Sequence, residues 1–238
     1  MAFAFFRDRR YDTQLKIELE FELQHLPKPS KKGKTVDRYF LDMIAYVRRF
    51  CDRKIAFLPK FERVHGVAFS PGYKRRYLAK CFDSLAEDLQ KILLEYLEID
   101  FIFFVQQAAE QYEKDGGSSL DVFWEELEQK LLQKTRRLLR QWYEDPLNSC
   151  LQEIIHKGEM DEKRQKELRR LHEKNVRGLW LRSERIIRRF CRHKDARSSK
   201  QCFEQILRDR EERFPVLKAQ LKEQGFRIDQ EPTKPHGN

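Results

Sequence analysis

The stretch that opens at Ser70-Pro71 and closes at Asp115-Gly116-Gly117 constrains this chain most. Serine before proline is a helix start. The hydroxyl can cap a backbone N–H, and proline fits the first turn, where its missing donor costs nothing. Tyr73, Tyr77, Leu78, Phe82, Leu85, Leu89, Ile92, Leu93 and Tyr96 then recur at the three- and four-residue spacing of one helix face. Phe101, Phe104, Val105 and Ala108 continue the pattern, and the paired glycines must break it. One very long helix, or two joined near Asp100, fills the interval. Such a segment points to a mainly α fold. The scarcity of Gly (9) and Pro (8) agrees, because sandwiches and barrels need many turns.

Most other segments carry the same signature. Thr35 is placed to cap a helix bearing Val36, Phe40, Met43, Ile44, Val47, Phe50 and Cys51, ending near Pro59. Ser118 or Ser119 starts a helix with Phe123, Trp124, Leu127, Leu131, Leu138 and Trp142. Asp145-Pro146 punctuates it and begins a short helix that ends at Gly158. A long helix follows over about 160–193. Its first half, Asp161 to Lys174, is almost all charge and is expected to project into solvent. Ser198 or Ser199 opens another helix, and Pro215 to Gly225 forms a last one. The exception is Leu15-Lys16-Ile17-Glu18-Leu19-Glu20-Phe21-Glu22-Leu23, where apolar and charged residues alternate. On a strand the five apolar residues share one face; on a helix they split onto two. A half-buried strand is the reading here, with residues 61–69 as its partner. The expected fold is a multi-helix, bundle-like assembly with a small N-terminal β element. Residues 1–70 form an N-terminal segment, 71–228 a helical domain, and 229–238 a polar tail without fixed structure.

Several classes are disfavoured. The longest unbroken apolar runs, Met1 to Phe6 and Phe101 to Val105, fall far short of the ~18 residues a transmembrane helix needs. Met1 to Phe6 is apolar, but Arg7, Asp8, Arg9 and Arg10 follow at once, unlike a signal peptide. The cysteines, Cys51, Cys81, Cys150, Cys191 and Cys202, are odd in number and never form a C-x-x-C pair. They read as small core residues in a reducing, cytoplasmic compartment.

The net charge of +10 is unevenly spread. Residues 1–80 carry +10, residues 81–128 carry −11, residues 129–200 carry +11, and the remainder is neutral. Either the acidic middle folds against the basic flanks, or the basic surfaces stay open for an anionic partner. The most ordered basic feature lies on the long helix. At about 100° per residue, Arg182, Arg185, Arg189 and Arg192 form a stripe, with Leu179, Ile186, Ile187 and Phe190 expected on the buried side. Arginine suits phosphate or carboxylate because its fork donates two parallel hydrogen bonds. Further basic clusters are Lys31, Lys32 and Lys34; Lys74, Arg75 and Arg76; and Arg136, Arg137 and Arg140.

Signals for chemistry are thinner. Three Glu-x-x-His pairs occur: Glu22/His25, Glu62/His65 and Glu153/His156. Helical di-iron proteins use two such pairs, but only Glu153/His156 falls on an expected helix, and it is the one metal candidate. Gly33-Lys34-Thr35 ends like a phosphate-binding loop, yet Lys28 stands where the first glycine is required. Arg188 and His193 match the R-x4-H spacing of some helical ribonucleases, a match of two residues and no family resemblance. No catalytic motif and no cofactor is implied. The expected role is therefore a non-enzymatic regulatory or scaffolding subunit that binds a protein partner through charged helix faces. The alternative is nucleic-acid binding by the arginine stripe and basic loops, and a lesser one a metal-dependent helical enzyme. The edge of the 15–23 strand would also offer a route to a homodimer.

Overall fold

The computed structural model describes residues 10–117, 119–158, 160–192 and 195–228. Met1–Phe6, Ser118, His193 and the 229–238 tail, all singled out above, lie outside the described residues. In chain order the helices are α1 (Asp12–Gln24), α2 (Val36–His65), α3 (Pro71–Lys114), α4 (Leu120–Leu139), a π-helical turn (Arg140–Glu144), α5 (Asp145–Lys157), α6 (Glu162–Cys191) and α7 (Ala196–Glu223). No strand occurs among the described residues. The fold is mainly α, and no described helix is long and apolar enough to cross a membrane.

The strand expected at 15–23 is α1 instead. Leu15, Leu19 and Leu23 fall at i, i+4 and i+8 and turn inward, while Ile17 and Phe21 point to solvent. Alternation is therefore compatible with a short helix when its neighbour needs only a narrow apolar stripe. Residues 15–23 consequently offer no strand edge for a homodimer. Their proposed partner, 61–69, is the last turn of α2 and the loop after it.

Two of the helix-start signals operate as expected. Ser70 Oγ accepts a hydrogen bond from the Tyr73 amide (3.2 Å), and Thr35 Oγ1 from the Arg38 amide (3.3 Å). Gly116 and Gly117, at φ +73° and +39°, end α3, which is a single helix of 44 residues. Proline is less disruptive than expected. α2 runs through Pro59 to His65, and α7 through Pro215 to Glu223. At Pro215 the carbonyl four residues back belongs to exposed Glu211, where water can replace the lost backbone donor. The start of α7 also differs: Asp195, not serine, caps it, its Oδ1 accepting from the Ser198 amide at 2.7 Å. Asp145-Pro146 does not break the chain's helical course but follows the π turn.

The chain divides into two compact units, each drawn from three stretches. The first comprises residues 1–29, 43–92 and 139–179. In it, Leu15 of α1 packs with Phe57, Leu58 and Phe61 of α2 and with Phe69. Phe82, Leu85 and Leu89 of α3 and Leu147, Leu151 and Ile154 of α5 are almost fully buried. Glu22 of α1 accepts from Lys60 (2.8 Å), and Glu18 pairs with His65 at 3.0 Å.

The second unit comprises residues 30–42, 93–138 and 180–238. Its core is Val105 and Ala109 of α3, Phe123, Trp124, Leu127 and Leu131 of α4, Ile187 and Cys191 of α6, and Phe203 and Ile206 of α7. Tyr96 donates to Asp37 (2.7 Å) and lies 3.2 Å from Asp100, which accepts from Lys134 at 2.7 Å. The loop before α2 is fastened to the end of α7: the Gly33 amide donates to Gly225 O (2.9 Å) and the Arg227 amide to Lys34 O (2.8 Å). Gly33 sits at φ +71°, with open space where a side chain would start, so backbone conformation rather than crowding favours glycine there.

Candidate functional site

The expected basic clusters have different fates. Lys31 donates to Gln224 Oε1 (2.9 Å), its ammonium lying over the rings of Tyr39 and Phe226, and Lys34 donates to Asp42 at 2.6 Å. These two lysines close the second unit's own loop, and Lys32 alone of the three is exposed. Arg136 stacks 4.7 Å over the Trp180 ring, while Arg137 and Arg140 are exposed. Lys74 pairs with Glu62 (2.9 Å), whose Oε1 also accepts from the Phe69 amide.

The acidic middle takes up part of the basic charge. In the second unit Lys134 pairs with Asp100, Arg210 with Glu113 (2.9 Å), and Arg188 with Glu184 and, at 3.9 Å, Glu128. The remaining pairs around the stripe on α6 do not reach its outer arginines. Arg185, Arg189 and Arg192 are exposed, and no ion pair joins them to a described residue.

The face opposite the stripe is not as expected. Leu179, Ser183, Ile187 and Cys191 are buried, but Ile186 is 62% exposed and Phe190 is only half covered, against Phe101 and Trp124. Helix geometry explains the difference. Ile186 lies about 40° from Arg182 and about 60° from Arg189, at the border of the buried face rather than on it. An apolar residue thus stands beside the arginines. Phe190, one turn along α6 from Ile186, lines a cavity of about 330 Å³ together with Phe101, Ile102 and Val105 of α3 and Phe214 and Leu217 of α7. Gln106 also lines it; its Nε2 donates to Ile206 O (3.1 Å), and its buried Oε1 has no hydrogen-bond partner among the described residues.

In the first unit, Arg75 and Arg76 reach a different cavity, of about 530 Å³, between the first turns of α3 and of α6. Arg164 joins them there, a residue the sequence reading passed over as one charge among many.

The metal candidates are dispersed. Glu153 accepts from Lys157 (2.5 Å) and His156 is exposed. Glu22 and Glu62, although helical, are engaged by Lys60 and Lys74. No group of three or more His, Cys, Asp or Glu side chains suited to a metal occurs among the described residues. Comparison with protein-family models, with curated proteins and with solved structures finds no match to this chain.

Proposed function

We propose that this protein is a non-enzymatic adaptor whose second unit binds an acidic amphipathic helix of a protein partner. One observation carries the reading: exposed Ile186 and half-exposed Phe190 share α6 with Arg185, Arg189 and Arg192, which have no counter-ion among the described residues. A nucleic-acid backbone would use the arginines and gain little from Ile186, Phe190 and the groove between Phe101 and Phe214. A helix with apolar anchors on one face and carboxylates beside them uses both. The groove takes the anchors, and the guanidinium forks take the carboxylates.

The reading is tested by fluorescence anisotropy on the full chain at moderate salt. The probes are a labelled Leu/Glu peptide of about 20 residues with apolar positions at i, i+3, i+4 and i+7, the same composition scrambled, and a single-stranded oligonucleotide. The ordered peptide is expected to bind at least tenfold tighter than the scrambled one. Ile186→Glu and the double change Arg185→Glu/Arg189→Glu should each weaken it about tenfold, the size of a good interface contact. Equal binding of ordered and scrambled peptides sinks the reading. Oligonucleotide binding that survives Ile186→Glu, vanishes in the double variant and falls steeply with salt replaces it with nucleic-acid recognition.

A further inference from the structure

The first unit presents, on α1, an acidic helix face with two apolar anchors. Leu15, Leu19 and Leu23 turn inward, which leaves Ile17 and Phe21, 61% and 64% exposed, one turn apart on the solvent side. Two carboxylates flank this pair. At about 100° per residue, Glu20 lies about 60° from Ile17 on one side, and Glu18 about 60° from Phe21 on the other. Glu18 is held by Gln14 (2.9 Å) and His65 (3.0 Å). Among the described residues Glu20 meets only Lys16, at 3.9 Å, with both side chains well exposed, and such a surface pair is worth little in water. Lys16 itself lies about 140° around the helix from Phe21, away from the apolar pair.

The α6 face of the second unit is the complement of this one. Ile186 and Phe190 are also four residues apart, so each pair spans the same ~6 Å of helix axis. Arg185 and Arg189 lie to one side of them, with no ion pair to a described residue. The α1 carboxylates stand on both sides of Ile17 and Phe21, so one of them faces the arginines whichever way α1 runs across α6. Charge opposes the pairing of like faces. Two α6 faces would set Arg185 and Arg189 against their own copies, and two α1 faces would do the same with Glu18 and Glu20. Unlike faces bring carboxylates to guanidiniums, and Phe21 to a groove whose walls include Phe101, Phe190 and Phe214.

We propose that the helix bound by the α6 face is α1 of a second copy of this chain, so that molecules associate head to tail. This rests on the reading of α6 as a receptor for an acidic amphipathic helix, and it names that helix. Phe21 is the anchor in the groove, and Ile17 packs on Ile186. The contact is made by the side chains of two helices and is heterologous. A copy that has given its α1 face still has a vacant α6 face, so assembly continues into a ring or a filament rather than stopping at two chains. Two pairs of apolar side chains and one group of charges make a small interface, so assembly is reversible and depends on concentration.

Sedimentation velocity of the nuclease-treated full chain at moderate salt, over a series of concentrations, tests this. The mass of the wild type is expected to rise with concentration to that of two chains and beyond, and an excess of the ordered Leu/Glu peptide should return it to one chain. Phe21→Lys and the double change Arg185→Glu/Arg189→Glu should each stay monomeric, with Ile17→Lys behaving as Phe21→Lys. All four positions are exposed, so these variants are expected to fold, as far-ultraviolet circular dichroism will verify. An equal mixture of Phe21→Lys and the double arginine variant retains one sound α6 face and one sound α1 face, and should form a dimer that grows no further. A wild type that stays monomeric while binding the ordered peptide overturns the head-to-tail contact and leaves the α6 reading in place. One that neither assembles nor binds the peptide removes both. Assembly that persists in the folded variants, or a variant mixture that stays monomeric or grows past a dimer, also overturns the contact.

Discussion

The sulfurs of Cys51 and Cys150 lie 3.7 Å apart, between α2 and α5 in the core of the first unit. Cys51 in turn lies 3.6 Å from the Cys81 carbonyl, to which its thiol can donate. The hydrogen bond to Cys51, with burial, drives the Cys150 thiol far above the ordinary range. Burial also pushes Cys81 and Cys191 up to about 12. The thiolate is the reactive form, and Cys51, like these three, is buried away from reagent, so four of the five cysteines should be inert in the native state despite the short sulfur contact. Treatment of folded protein with an aromatic disulfide reagent should modify Cys202 alone, and all five should react after guanidinium unfolding. Modification of Cys150 with helicity intact would contradict this.

Opposite faces of α1 should differ sharply in tolerance. Leu15 is buried against Phe57, Leu58 and Phe61, whereas Ile17 and Phe21 are 61% and 64% exposed. Leu15→Ala should cost about 2–5 kcal/mol of stability, the usual range for a buried leucine. Ile17→Glu and Phe21→Glu should each stay within about 0.5 kcal/mol, as exposed positions do. Urea melts of the three variants provide the check. Comparable losses at 15, 17 and 21 would restore the strand, on which all three share a face.

That segment also shows where sequence reading stops. Helix starts were legible at Thr35 and Ser70, where a side chain meets a neighbouring amide, and the end of α3 at the glycines after Lys114, because those signals are local; the cap of α7 is equally local, but Asp195 competes there with Ser198 and Ser199. Strict alternation at 15–23 was ambiguous because period two and a narrow helical stripe place Leu15, Leu19 and Leu23 together in either case; packing against α2 selects the helix. Pro59 was read as a helix end and Pro215 as the start of a separate helix because a lost hydrogen bond was counted and the compensation by solvent and tertiary packing was not. The arginine stripe on α6 followed from helical angle alone. Its neighbour Ile186 did not, since the width of the buried face depends on what lies across from it. Arg164 could not be found at all, because what distinguishes it is proximity to Arg75 and Arg76, far away in sequence.

Stability should respond to pH through His172. This side chain is buried on α6, its ring edge-on to Phe82 at 6.4 Å, and its Nδ1 has no hydrogen-bond partner among the described residues. Burial lowers its pKa, and the carboxylates of Glu144 and Glu173 only partly oppose that. In the unfolded chain the imidazole takes up its proton as pH falls through about 6.5, while in the fold it resists to lower pH. Protonation therefore favours the unfolded chain. The contribution of the neutral ring is complete above about pH 6.5 and is lost as pH falls through the lower, folded value. His172→Leu removes the titrating group while keeping an apolar side chain at the site. Urea midpoints of wild type and His172→Leu should be measured at closely spaced pH values between 7.5 and 5. Carboxylates contribute to both proteins alike, so the difference isolates the imidazole. The gap between the two midpoints should shift in favour of His172→Leu as the pH is lowered, and curves that run parallel across the whole interval would refute a buried neutral histidine.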